Sequence, residues 1–420
     1  MATDFAKEKN QQVKSTSVGF QERLKHFTWV TNVPPTQDFE RADTSVQAWY
    51  TYPMATGGLT LLLSPKVQPH SFRGLETIGK VVYIYDLVVF VTIGALISYR
   101  FFKYPGTFTK SLTHPTESWF FGAALLSSAT IIGSMGYYGV ESCGPWLAVT
   151  YRVLFWIYFA AAISLFIGQY YMLFINPEIR SEDLNPAWDL PILPTMLAGT
   201  VAGIGAEFQP VSQAVPMIVA GLTAQGLGML VSVVMLSNYT LRMIQYGLPS
   251  PNARPGMFIA VGPPSFTALA LIELANAWPE TRDFAGSSII AIQTMRILAT
   301  FSAVFIWSLA LWIFVISALA CLAARKQLSF HLNWWAFVFP NVGFTISVIA
   351  IGKQFQSQGV LWVGSVMTIL LVCVYLFVLV NNVRAVLAKR ILYPGKDEDG
   401  YMPQQMGKVD KRRQNEKGQA

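Results

Sequence analysis

Ten long apolar runs constrain this chain more than any other feature of its sequence. Runs of about 20 apolar residues are too long for the core elements of a water-soluble domain and match a membrane-spanning helix. Charged residues make up 13% of the chain, about half the share of an ordinary soluble domain. The sequence therefore predicts an all-α polytopic membrane protein. The ten candidate spans are approximately 48–63, 81–99, 119–136, 147–174, 191–208, 215–236, 257–278, 297–323, 335–351 and 360–380.

Basic residues predict the orientation of these spans. Of the 30 Lys and Arg residues, 23 fall on the side that holds both tails and five on the opposite side. The positive-inside rule then puts both termini in the cytosol, and the first 29 residues contain no apolar stretch of a cleaved signal peptide. We expect a cytosolic tail at 1–47, a ten-helix membrane domain at 48–384 and a disordered, basic cytosolic tail at 385–420.

Odd-numbered and even-numbered spans differ in composition. Four of the five odd spans contain proline, and all are rich in small or hydroxyl residues, whereas the even spans are mostly bulky. Helix breaks free backbone groups that hydrocarbon cannot satisfy, so broken helices belong inside protein or beside a wet cavity. The pattern predicts five helical hairpins, with odd helices in an inner ring around a pore and even helices facing lipid. Close helix packing by small residues is the alternative.

Few ionisable residues lie in or near the spans, namely Asp86, Arg152, Glu207, Glu273 and Arg296. Such groups are costly at membrane depth and are functional candidates by default. For Arg152 and Arg296, near the ends of even spans, an interhelical ion pair or snorkelling competes with recognition of a substrate carboxylate.

Several classes of protein are disfavoured by the sequence. The four histidines and three cysteines do not cluster, so we predict no metal site, and no phosphate-binding loop or nucleophile motif suggests a cofactor or an enzyme. The net charge of +7 is spread between and beyond the apolar runs rather than on one exposed face, so nucleic acid is not an expected partner.

Four segments carry a family resemblance: residues 23–29 (RLKHFTW), 54–58 (MATGG), 114–118 (HPTES) and 254–267 (RPGMFIAVGPPSFT). They resemble the fungal malic acid transport proteins of the tellurite-resistance/dicarboxylate transporter family, which also includes plant slow anion channels and fungal sulfite efflux pumps. The resemblance covers nearly the whole chain from residue 23 to about residue 393. It implies ten helices as five hairpins, a pore in each protomer and a homotrimer.

The resemblance also implies a phenylalanine on the ninth helix that closes the pore. Phe339, directly before Pro340, matches that position best. Helical periodicity favours Phe337 instead, because Phe337 shares a stripe with Asn341 and Thr345 and Phe339 does not, unless the proline resets the phase. Both residues stay candidates for the gate.

The expected function is proton-coupled uptake of a C4-dicarboxylate across the plasma membrane, with malate first and succinate and fumarate as further substrates. Efflux of sulfite or another small inorganic anion, and a scaffold or receptor without flux, are the alternatives. Anion selectivity without a deep ring of lysines needs hydroxyls, backbone amides and the positive ends of broken helices. The candidate pore-lining residues are Thr56, Gly57, Gly58, Ser127, Thr130, Thr200, Pro263, Ser265 and Thr267.

Residues 30–47 depart from the family pattern, in which the FTW motif leads directly into the first span. Without them Trp29 would join Ala48, and the 16 residues of the first span, about 24 Å long, would reach the length of a ~30 Å core. The codon for Val30 begins with the splice donor GT, and a codon for Gln47 can end in the splice acceptor AG. We interpret the segment as an in-frame retained intron of about 54 nucleotides; a true loop insertion is the alternative.

Overall fold

The computed structural model describes residues 46–103, 117–175, 184–280, 289–388 and 390–391. In these residues the chain forms α-helices and 3₁₀-helices and no strands, so the predicted all-α fold class is confirmed. Ten α-helices have 12 or more residues in the described ranges: α1 (Thr51–Leu62), α2 (Leu75–Lys103), α3 (Phe121–Tyr138), α4 (Pro145–Ile175), α5 (Leu193–Ala206), α6 (Val211–Tyr246), α7 (Gly262–Asn276), α8 (Ile289–Ala323), α9 (Phe339–Gln354) and α10 (Gln358–Leu387).

Each odd-numbered helix follows a 3₁₀ segment. The five segments are Val46–Tyr50, Glu117–Phe120, Pro186–Asp189, Pro251–Val261 and Leu332–Phe337. Proline contributes to this pattern because it lacks an N–H group and is tolerated in the first turn of a helix. Pro194, Pro263 and Pro340 all lie at the first or second position of their α-helices. The odd helices therefore change from 3₁₀ to α geometry near their N-terminal ends.

The odd and even helices differ in burial as their compositions predict. The buried share of residues in the apolar 18-residue stretch differs from helix to helix. It is 89% for the segments that contain α7 and α9, 11% for α2, and 28% for both α8 and α10. All 14 residues of α5 are buried. We call α1, α3, α5, α7 and α9 the inner helices and the even-numbered helices the jacket helices. The jacket helices expose their large apolar side chains, as lipid-facing helices do.

The inner helices contact one another in a cyclic order. α1 packs on α3, α3 on α5, α5 on α7 and α7 on α9, and α9 also contacts α1. Glycines allow close approach at several crossings. At Gly221 of α6, an added Cβ would lie 2.5 Å from the Cβ of Ala202 on α5, a separation that real side chains do not adopt. The small residues of the inner helices therefore do serve close packing.

Eight helices of the described residues are long and apolar enough to cross a membrane. The other two, α1 and α5, have 12 and 14 residues and are about 18 and 21 Å long at 1.5 Å per residue. Both are buried within the bundle. The count of ten spans therefore stays a prediction, as do the boundaries of the tails. Residues 1–45, which contain most of the interpreted insert, and residues 392–420 lie outside the described residues.

Candidate functional site

Two cavities lie at opposite ends of the inner helices. The larger, about 190 Å³, is lined by residues near the C-terminal ends of all five, and we call it the vestibule. The smaller, about 30 Å³, is lined by residues at their N-terminal ends and is mostly apolar, so we call it the apolar pocket. Because both cavities touch all five inner helices or the segments that flank them, the two cavities mark a common axis through the bundle.

The vestibule carries opposite charges. Its polar lining includes Lys66, Tyr137, Glu207, Glu273 and Lys353. The Tyr137 hydroxyl donates to Glu273 Oε1 at 3.3 Å, and Lys353 Nζ donates to the Lys66 carbonyl oxygen at 2.6 Å. In the described structure the second oxygen of Glu273 is buried and accepts no hydrogen bond. Lys66 Nζ also forms an ion pair with Glu141 Oε1 at 2.7 Å, so two amines and three carboxyls meet at one mouth of the axis.

Two phenylalanines on neighbouring inner helices form a stacked pair. Phe339 of α9 and Phe266 of α7 are each 2% exposed, and their ring centroids lie 5.2 Å apart. Each ring rests on a glycine of a neighbouring helix. A Cβ on Gly58 would lie 3.0 Å from Phe339 Cδ2, and a Cβ on Gly343 would lie 2.7 Å from Phe266 Cε2. We call Phe266 and Phe339 the gate pair.

Phe337 lies elsewhere in the bundle. Its ring packs edge-on against Phe258 at 5.4 Å and contacts Trp334, and it is only partly buried. The 3₁₀ segment ends at Phe337, and α9 begins at Phe339 with Val338 as its N-cap residue. This change of helix type breaks the stripe that periodicity drew through Phe337, Asn341 and Thr345, so the geometry favours Phe339 as the gate candidate. Phe339 also lines the apolar pocket, and Phe337 does not.

Three of the predicted pore-lining hydroxyls lie beside residues of the jacket helices. Thr56 donates to the Tyr52 carbonyl at 2.9 Å and lies 3.1 Å from the Tyr375 hydroxyl of jacket helix α10. Thr267 accepts a 2.8 Å hydrogen bond from Gln225 of α6. Thr130 packs beside Gly57, between α1 and α2. These side chains bridge the inner helices to the jacket.

The other predicted residues lie inside the packed bundle. Ser127 donates to the Tyr50 carbonyl at 3.0 Å, and Ser265 donates to the Val261 carbonyl at 2.6 Å. Pro263 opens the first turn of α7. The hydroxyl of Thr200 is buried and has no partner in the described structure. Its position on α5 is one helical turn below Ile204, which lines the vestibule, so Thr200 continues that face of α5 toward the gate pair.

The charged residues of the jacket divide into two kinds. Arg296 of α8 forms an ion pair with Glu280 at 3.1 Å, which matches the structural alternative considered for it. Asp86 of α2 is fully buried, and neither carboxyl oxygen has a hydrogen-bond partner in the described residues.

The sequence indicated Asp86, Glu207 and Glu273 as candidates, but it did not indicate Phe266 as the ring that stacks on Phe339. The sequence signal for Phe266 was its place two residues after the proline pair Pro263-Pro264.

A buried set of inner helices in cyclic contact, with a charged vestibule at one end and a stacked aromatic pair inside, fits a multi-pass membrane transport protein. Comparison with known proteins gives the family. The chain belongs to the SLAC1 voltage-dependent anion channel family, whose model matches residues 47–383. This extent includes all ten helices except the last turn of α10.

Three relatives illustrate where the chain stands within that family. The malic acid transport protein of Schizosaccharomyces pombe is 36% identical over 93% of this chain and 85% of its own length. A second protein of the same yeast carries a provisional form of that name and is 34% identical over 92% and 86%. The sulfite efflux pump SSU1 of Trichophyton rubrum is 26% identical over 79% and 88%. The resemblance found in the sequence motifs is thereby confirmed.

Proposed function

We propose that this protein carries C4-dicarboxylates, malate first, across the plasma membrane, and that uptake is coupled to protons. The observation that carries the proposal is the vestibule, where Lys66 and Lys353 stand at the mouth of the inner helices. Two carboxylates of a small dicarboxylate need two cationic or hydrogen-bonding partners in one cavity. The identity to a relative named as a malic acid transport protein supports the same substrate class.

The balance of charge in the vestibule affects how tightly a dianion binds. Its lining holds two lysines and two glutamates, so the negative charges of the glutamates offset the attraction of the amines. The vestibule therefore sets the affinity for the dianion. Coupling to protons is supported by the resemblance to the malic acid transport proteins.

The gate pair supplies the closed state of such a carrier. An aromatic ring across a narrow axis excludes water and ions by steric closure and dewetting. Phe339 can leave the axis by rotation about its side-chain torsions, because Gly58 presents no side chain on that side. Passage then requires the Phe266–Phe339 stack to separate. This is a side-chain step that needs no large rearrangement of the helices.

Orientation and assembly complete the proposal. The excess of basic residues on the side of both tails supports cytosolic termini, which puts the vestibule on the outer face and the apolar pocket on the cytosolic face. The resemblance supports a homotrimer. The vestibule would then face the outer medium from which the substrate and the protons arrive.

The test is uptake of labelled malate into proteoliposomes that contain the purified chain, with and without an inward proton gradient. We expect saturable uptake that unlabelled succinate and fumarate inhibit. The Gly226→Ala variant serves as a matched control, because no atom lies within 4 Å of the added Cβ. Malate uptake no faster than in protein-free vesicles, with labelled sulfite transported instead, would replace the dicarboxylate proposal by the sulfite alternative. Absence of flux for both anions would favour a scaffold.

A further inference from the structure

A buried carboxyl on a lipid-facing helix has no role in the vestibule or the gate pair. Helix α2 buries five of its 29 residues, and Asp86 is the only acidic residue among them. Its side chain is 0% exposed, and both oxygens lack hydrogen-bond and ion-pair partners within the described residues. Buried polar groups in native proteins almost always have a partner, so a group with none calls for a functional explanation.

The carboxyl fills the space that Gly57 leaves open on α1. A Cβ on Gly57 would lie 2.7 Å from Asp86 Oδ2 and would also meet the hydroxyl of Thr130. The next residue, Gly58, faces a different direction and contacts the Phe339 ring, whose Cδ2 lies 3.0 Å from where a Cβ on Gly58 would lie. Successive residues of a helix point about 100° apart. The absence of side chains at Gly57 and Gly58 therefore lets Asp86 and Phe339 pack against two sides of the same turn of α1.

Phenol groups and an uncharged threonine lie around this carboxyl in the described structure. Tyr52 of α1, Tyr83 of α2 and Tyr375 of α10 interact electrostatically with it. Tyr85 of α2 hydrogen-bonds to the hydroxyl of Tyr52, and α3 contributes the uncharged Thr130. Among the described groups that act on Asp86, none is a cation. A buried carboxyl without a cation or a hydrogen-bond donor beside it is costly to ionise.

We propose that Asp86 is a proton-binding residue that couples the gate to the proton gradient. In the closed state the carboxyl is protonated and packs against Gly57. When Phe339 leaves the axis, the turn at Gly57–Gly58 shifts and water reaches the carboxyl; the O–H bond breaks and water accepts the proton. Reprotonation restores the packing and recloses the gate. Asp86 thus acts as a positioning residue, through α1, and the proposal rests on the proton-coupled carrier proposed above.

Asp86→Asn tests this directly, because asparagine keeps the shape and cannot release a proton. The full chain in proteoliposomes is assayed for malate exchange without a gradient and for net uptake with one. In wild type, a one-unit pH gradient that drives one proton raises the accumulation ratio about tenfold. We expect Asp86→Asn to exchange malate within about twofold of wild type and to lose the gradient response, and Asp86→Glu to recover part of it.

Two comparisons separate this proposal from the proposed function. Glu273→Gln alters the vestibule and should change half-saturation while keeping the gradient response. A full gradient response in Asp86→Asn, or its loss in Glu273→Gln alone, would overturn the role of Asp86 and leave the malate carrier standing. If wild type exchanges malate but ignores the gradient, proton coupling and the Asp86 proposal both fail.

A measurement on wild type covers the case in which the variants do not fold. Dicyclohexylcarbodiimide is an apolar reagent that adds to protonated carboxyls. Mass spectrometry of the labelled chain should find the adduct on Asp86, increasing as pH falls, with vestibule Glu273 as the internal comparison. No adduct on Asp86 at any pH at which Glu273 is labelled would contradict the proposal.

Discussion

Replacing Phe339 by alanine tests the gate most directly. The ring is 2% exposed and stacks on Phe266 at 5.2 Å, between the vestibule and the apolar pocket. Its removal leaves Phe266 as the only aromatic ring of the gate pair. We therefore expect a passive anion leak in Phe339→Ala that needs no proton gradient.

The size of the leak follows from the contacts that opening must break. An aromatic pair contributes about 0.5–1.5 kcal/mol beyond its buried area, and moving a large apolar ring from its packed site costs about another 1 kcal/mol. Without this cost the open state gains about 2 kcal/mol relative to the closed one. At about 1.4 kcal/mol per factor of ten, passive flux should increase by about tenfold to thirtyfold.

Phe337→Ala is the matched control. Both variants lose a buried or partly buried ring, and the loss of a buried phenylalanine costs about 3–5 kcal/mol of stability. Phe337 packs on Phe258 and Trp334, away from the gate pair. The assay is anion efflux from preloaded vesicles, corrected for the amount of folded protein. A leak in Phe337→Ala with none in Phe339→Ala would show that the helical stripe was the better guide and that the gate pair is a packing contact.

Four further predictions concern other parts of the molecule. Lys353→Gln should raise the half-saturation concentration for malate about fivefold, because the attraction between two opposite charges at contact distance in water is about 1 kcal/mol. Lys80→Gln removes a surface ion pair with Glu76 and should leave the half-saturation concentration unchanged. Gly343→Ala should lower thermal stability by about 1–3 kcal/mol, because its Cβ would lie 2.7 Å from the Phe266 ring, and unfolding scans that place it level with Gly226→Ala would contradict the tight contact. In a chain without its native cysteines, Thr200→Cys should make flux sensitive to water-soluble thiol reagents and Thr267→Cys should not; equal sensitivity would mean that both line the axis. Sequencing of mature transcripts should find most messages without the codons for residues 30–47, and retention in most reads would favour a true loop.

The sequence was sufficient for the fold class, and it indicated which helices are the more buried. Proline and glycine on alternate spans have a direct cause, since broken or closely packed helices must be shielded from lipid, and burial follows that division. Periodicity was not sufficient for the gate. It assumes one helical repeat, whereas the chain passes from 3₁₀ to α geometry between Phe337 and Phe339, which shifts the phase of every residue before the change.

The neighbours that individual hydroxyl side chains contact could not be predicted from the sequence. Thr56 and Thr267 occur in the right helices, but their hydrogen bonds to Tyr375 and Gln225 turn them toward the jacket. Which neighbour a threonine contacts depends on how each helix is rotated, and rotation is set by packing across the whole bundle. The vestibule depends on five helix ends that are far apart in the chain, so no local motif could have revealed it.

The 3₁₀ segments before the inner helices give each of them a built-in means of changing length and rotation. A 3₁₀ residue rises about 2.0 Å and turns about 120°, against about 1.5 Å and 100° in an α-helix. If the six residues Leu332–Phe337 rewound as α-helix, the segment would shorten by about 3 Å and its far end would rotate by about 120° relative to α9. Phe337, next to α9, would turn by only about 20°. The displacement would therefore fall on Leu332 and Asn333, which line the apolar pocket, and not on the gate pair.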